Sequence, residues 1–224
     1  MLLNTYDEHV ELQDFLKMIE KNCQPFLNLL DTVKDTKTWM GKQRPLFFRG
    51  MKKGGKVLIK EKVRKDRQAK DSSSYVKAED LDVEFEKQLG IKARSQGVYT
   101  SSNSDTASRY GDVYMVFPID SFDYITTTHG YTDMIDALQY YFEVIGGEEG
   151  EELKKEWLDK YGYSDTNYVT PKYLEKLVSD YHKNGDMKTA VKGGHEVVFI
   201  CDEYYAIKDD STYYQKILQW LDKR

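Results

Sequence analysis

Gly194-His195-Glu196-Val197-Val198-Phe199-Ile200-Cys201 is the stretch on which the fold turns. Its apolar run from Val197 to Cys201 is too short for a helix of usual length and is rich in β-branched and aromatic residues. It predicts a strand, the strongest in the chain. Tyr204 to Ile207 follow across Asp202-Glu203 and are expected to pair with it. Upstream, Val113 to Phe117 predicts a strand closed by Pro118, and Gly97-Val98-Tyr99-Thr100 a further one. Leu46-Phe47-Phe48 reads as a short strand ending at Arg49-Gly50.

Helical text surrounds these strands. Val10, Leu12, Phe15, Leu16 and Ile19 fall near helical spacing, with Asp7 available as a cap, and Pro25 suits the first turn of a second helix carrying Phe26, Leu29, Leu30 and Val33. Leu81, Phe85 and Leu89 mark a helix stopped by Gly90, and Ser104 or Asp105 caps a short one ending at Gly111. Between about 131 and 190 the text is helical again, with Ala137, Leu138, Tyr141, Phe142, Trp157, Leu174 and Leu177. A last amphipathic helix carries Tyr214, Ile217, Leu218 and Trp220 or Leu221. Helices, strands, helices, strands is an α+β order rather than a βαβ alternation. The organisation expected is an N-terminal helical arm over residues 1–44 and a main domain over 45–224 that carries the helical insertion.

Composition narrows the function. A net charge of −5 over 224 residues implies no strongly charged partner. Lysines and arginines do gather between Lys52 and Lys70, a long loop with a short strand at Val57-Leu58-Ile59; it is either a solvated segment or a cover for phosphates through Arg64 or Arg67. Interleaved aromatics of a nucleic-acid groove are missing there. Cys23 and Cys201 stand in no metal or redox spacing and read as core thiols. No basic leader with an apolar region and no long apolar span occurs, so a cytoplasmic location, no membrane and no metal are expected. Phosphate-loop, zinc-protease, nucleophile-elbow and calcium-loop patterns are absent.

Three pieces are left to carry chemistry: Leu46-Phe47-Phe48-Arg49-Gly50, Gly97-Val98-Tyr99-Thr100-Ser101-Ser102, and Gly194-His195-Glu196-Val197-Val198-Phe199. Singly, each has a plainer reading: a strand exit, a polar turn, a solvated strand end. Together and in this order, over roughly residues 45 to 207, they resemble the ADP-ribosyltransferase superfamily in its arginine, serine-motif and glutamate branch. Ala107 and Tyr110-Gly111 are similar to that family's helix behind the nicotinamide. Gly97-Val98-Tyr99 running on to Tyr110 also resembles the poly-ADP-ribose polymerases, which use histidine where this chain has Arg49. The texture from Arg67 to Asp71 and through Arg94-Ser95-Gln96-Gly97 is similar to transferases encoded by bacteriophages, which would place the protein in a host cytoplasm.

The resemblance implies a split, mainly antiparallel sheet pair and NAD as the substrate whose ADP-ribose is transferred. It implies Glu196, Ser101 and Arg49 as catalytic residues, and Arg49, Gly50, Tyr99, Thr100, Ser101, Ser102 and Tyr110 as the NAD contacts. The residue types suit that chemistry. An arginine fork matches pyrophosphate oxygens, and a glycine beside it lets a ligand approach bare backbone. Short hydroxyls can hold ribose hydroxyls, and Tyr99 or Tyr110 can stack on nicotinamide. A fixed carboxylate stabilises the oxocarbenium-like ribose formed when the glycosidic bond breaks. Either Ser101-Ser102-Asn103 or Thr100-Ser101-Ser102 fits the serine motif, with Ser101 in both.

Gly194 stands where many relatives in that branch carry a Glu or Gln that engages the acceptor. His195 is then a candidate for the acceptor side, its other reading being a surface histidine. The acceptor is expected to be a protein or a nucleic acid. Two rival readings stand beside the transferase: an NAD glycohydrolase using water, and an inactive binding or virion module that kept the fold.

Overall fold

The computed structural model describes residues 12–38, 41, 45–63, 65, 78–127 and 171–224. Asp7, Val10, Arg64, Arg67 and the apolar positions expected to be helical between 131 and 170 lie outside them. Eight strands are described: β1 (Phe48–Met51), β2 (Leu58–Lys62), β3 (Gly97–Ser101), β4 (Asp112–Pro118), β5 (Asp123–Thr127), β6 (Tyr181–Lys183), β7 (Glu196–Ile200) and β8 (Glu203–Lys208). They form one sheet in the order β2-β8-β4-β1-β3-β7-β5-β6, antiparallel at every junction. The α+β class expected from the pattern is observed, and the strands, antiparallel as the resemblance implies, form one continuous sheet.

The junction between β1 and β3 is a single register pair, Phe48 with Ser101. Four strands lie on either side of this waist. β7 is filled on both edges, by β3 and by β5, and β8 pairs with β2 and β4 in the other half. The hairpin expected between β7 and β8 is therefore not formed. With both of its ladders taken, β7 has no edge left for β8, and the bend at Asp202 carries the chain across the waist.

Other differences are local. β1 starts at Phe48 and runs through Arg49-Gly50 rather than ending there, while the Phe47 carbonyl still accepts from Val116 N at 2.9 Å. β5 occupies sequence to which no element was assigned, and β6 lies within the expected helical insertion. Asp123-Tyr124-Ile125-Thr126-Thr127 has strand composition, but β6 is only three residues long, too brief for a period to show.

Helices cover both faces. α1 (Leu12–Asn22) and α2 (Gln24–Val33) bring Phe15, Leu16, Ile19, Phe26, Leu27 and Leu30 onto the sheet. Phe26 is the hub: its ring meets Phe47, Phe117, Phe122 and Phe199 edge-on at centroid distances of 5.4–6.1 Å, an arrangement that suits the ring quadrupoles. On the other side, α3 (Ala78–Leu89) and α6 (Pro171–Ser179) enclose a second cluster of Leu81, Phe85, Leu174, Leu177 and Val178 with Ile125, Tyr181 and Val198. β7 thus sends Val197 and Phe199 into one core and Val198 into the other, which is why its text is apolar without alternation. Three short helices lie near the waist: α4 (Ala93–Gln96), α5 (Ser104–Ser108) and α7 (Met187–Gly193). The chain closes on α8 (Ser211–Asp222), whose Ile217 and Leu221 are buried and whose N-terminus Asp210 caps.

Candidate active site

Strands β1, β3 and β7 are neighbours, and one row crosses them: Phe48 pairs with Ser101, and Ser101 with Glu196. Three distant parts of the sequence meet on that row. Arg49 follows Phe48, and its Nη1 donates to the Tyr99 carbonyl oxygen at 3.4 Å, bridging the strands where their ladder stops. Arg49 Nε is buried with no hydrogen-bond partner. An unsatisfied buried donor costs roughly 1–3 kcal/mol, and an anionic oxygen is the partner type that relieves it. The arginine's charge also reaches Cys201. Burial pushes that thiol up to about 12; Asp202 adds to the rise and Arg49 opposes it.

Glu196 is 4% exposed, and Tyr181 Oη donates to its Oε2 at 3.0 Å. A carboxylate so enclosed needs hydrogen-bond donors to remain charged. The serine motif works on α7 next door. Ser101 Oγ donates to Gly194 O at 3.0 Å and accepts from Asn103 N at 3.0 Å, and Ser102 Oγ donates to Val191 O at 3.2 Å. The two hydroxyls thus tie the C-terminal end of α7 to β3 and the residue after it. Thr100 Oγ1 donates to Val197 O at 2.7 Å, a bond between β3 and β7.

Gly194 is the left-handed C-cap of α7, at φ 66°. Its N–H donates to Val191 O at 3.3 Å, and His195 N donates to Ala190 O at 2.9 Å. The helix turns into β7 within two residues because glycine takes this conformation without a Cβ clash. Gly194, where the resemblance expects an acid in many relatives, serves here as a helix cap. His195 is buried, which excludes the surface-histidine reading. Its ring lies against the Cα of Gly193, and its Nδ1 is 3.1 Å from Thr127 O; a carbonyl only accepts, so Nδ1 carries a proton.

Gly50 has a different partner from the one expected. A Cβ there would strike the Ala107 carbonyl and Tyr110, so this glycine admits the end of α5 against β1. Bare backbone is approached by the protein itself. Tyr110, packed beside Gly50, is 45% exposed. The Tyr99 ring has the Arg94 guanidinium over it, 5.5 Å from the centroid. α5 is capped by Asn103, whose side chain accepts from Asp105 N at 3.0 Å, rather than by Ser104 or Asp105.

The structure thus joins Arg49, Tyr99, Ser101, Ser102, His195 and Glu196 in one neighbourhood, with Gly50 of β1 and Tyr110, just past α5, packed against each other beside it. Tyr181 and Thr127 were not foreseen: both sit on strands missed in the sequence, and no motif marks them. Among the described residues no group of three His, Cys, Asp or Glu could hold a metal ion, and no helix is long and apolar enough to cross a membrane. No family model, curated protein or solved structure matches the chain.

Proposed function

We propose that the chain is an ADP-ribosyltransferase that takes NAD, releases nicotinamide and passes ADP-ribose to a macromolecular acceptor. One observation carries this reading: Arg49, Ser101 and Glu196, far apart in sequence, come together on three adjacent strands, with Ser101 and Glu196 in direct register. The division of labour follows from the chemistry. Arg49 offers a planar cation to the pyrophosphate or the adjoining ribose. Glu196 sits where a fixed carboxylate stabilises positive charge as the nicotinamide leaves with the electron pair of its glycosidic bond. The acceptor nucleophile then bonds to the same ribose carbon and loses its proton. Ser101 and Ser102 fix the α7 end from which Glu196 departs, and Tyr110 offers an exposed ring to nicotinamide.

The cap at Gly194 favours a second reading, NAD glycohydrolysis. With no side chain at that position, nothing there orients a protein or nucleic-acid acceptor, and water can take its place. Both readings are tested by incubating the protein with NAD labelled in the adenylate part and a bacterial lysate, with and without nuclease. Label fixed to macromolecules supports transfer, and its loss with nuclease identifies a nucleic-acid acceptor. Free labelled ADP-ribose alone supports hydrolysis. Intact NAD at the end defeats both.

A further inference from the structure

We propose that Tyr181 is a positioning residue that holds the Glu196 carboxylate in its working orientation; this rests on the transferase or glycohydrolase reading of the same site. Tyr181 opens β6, the edge strand, and pairs with Thr127 of β5. Thr127 in turn follows the Thr126–Val197 pair, so Tyr181 stands level with Glu196 with one strand between them. Two strand spacings are roughly 10 Å, a gap that a phenol facing a glutamate closes and that shorter side chains do not. The ring runs above β5 and ends with Oη 3.0 Å from Glu196 Oε2.

The ring is held firmly. Tyr181 is 1% exposed and packs edge-on against Phe85 of α3 at 5.3 Å between centroids, within the cluster that includes Leu177 and Val178. Its hydroxyl therefore has little freedom left to lose on bonding. A phenol donating to a carboxylate makes a charge-assisted bond, which favours the ionised acid and fixes the direction of its second oxygen. A carboxylate that must meet a developing cation needs both effects, and burial alone would supply neither. The neighbouring hydroxyls, those of Ser101 and Ser102, donate to backbone carbonyls.

The test uses Tyr181→Phe, which keeps the ring and its packing and removes only the hydroxyl. Nicotinamide release from NAD is measured for the wild type, Tyr181→Phe, Glu196→Gln and the double variant, with thermal melts on each. The expected result is a kcat lower by roughly 10- to 100-fold in Tyr181→Phe, with the KM for NAD changed less than about threefold. The double variant should be no slower than Glu196→Gln, because the tyrosine acts through the glutamate. A Tyr181→Phe kcat within twofold of wild type, or an additive loss in the double variant, overturns the proposal. A second readout does not depend on turnover: the Glu196 side-chain carboxyl followed by carbon NMR as pH is varied. Its titration should move to higher pH in Tyr181→Phe, and an unmoved titration overturns the proposal. A wild type that leaves NAD intact defeats the enzymatic reading, and the carboxyl titration still decides whether Tyr181 holds Glu196.

Discussion

The hydroxyl of Ser101 donates to the carbonyl oxygen of Gly194 at 3.0 Å, so the residue in register with Glu196 also clamps the backbone two places before it. Placement of the carboxylate is thereby tied to the serine motif through the helix cap. Direct contact of Ser101 with a substrate is not needed for the motif to matter.

Replacing Ser101 by Ala removes a buried hydrogen bond to Gly194 O and a partly buried one from Asn103 N. A loss of about 1–3 kcal/mol in unfolding free energy is expected by urea titration, together with lower NAD turnover. Equal stability of the two proteins would show that the clamp contributes nothing.

Glu196→Gln keeps the size of the side chain and an oxygen able to accept from Tyr181. The charge is lost. NAD turnover should fall at least about 100-fold while the melting temperature stays close to wild type. A folded variant with normal turnover would remove Glu196 from the chemistry.

Arg49→Lys retains a positive charge and loses the planar fork that reaches Tyr99 O. Affinity for NAD, measured calorimetrically on a catalytically silent Glu196→Gln background, should weaken by roughly tenfold. Identical binding isotherms would argue that Arg49 serves only to bridge β1 and β3.

Hydrogen bonding to Lys183 is the main cause that holds the Asp123 carboxyl below its ordinary value of 3.8, and the ion pair measures 2.8 Å. The lowered value means that this contribution is present above the ordinary range and fades as pH falls through the folded-state value. Both side chains are about 40% exposed, so solvent screening limits the pair to roughly 0.2–1 kcal/mol. Asp123→Asn should lower stability slightly at pH 7 and flatten the acid limb of the stability profile below pH 4. A variant whose acid limb matches wild type would discount the pair.

The sequence was most legible where period and length agreed. Val197 to Ile200 read as a strand because no polar residue breaks the run, and Leu81, Phe85 and Leu89 read as a helix because Gly90 ends the pattern. Arg49, Ser101 and Glu196 were legible as separate strand-end residues, while their juxtaposition is a property of strand order. That order hides in the waist: nothing local in Asp202-Glu203 distinguishes a hairpin from a crossing to the other half-sheet. β6 escaped because three residues hold no period, and Tyr181 went with it. Gly50 was read as an opening for a ligand and Gly194 as the place of a missing acid. One admits α5 and the other caps α7, both demands of backbone geometry that only the packed neighbours reveal.

A sheet joined at one rung has consequences for how the protein is made. Phe48, Ser101 and Glu196 come from the first, middle and last thirds of the chain, so the rung closes only after long intervening loops have paid their entropy. Assembly of the row should be among the slowest events of refolding, as for other folds dominated by distant pairings. Neither half-sheet alone contains all three residues, so a chain nicked and separated between β3 and β7 keeps strands yet loses the row.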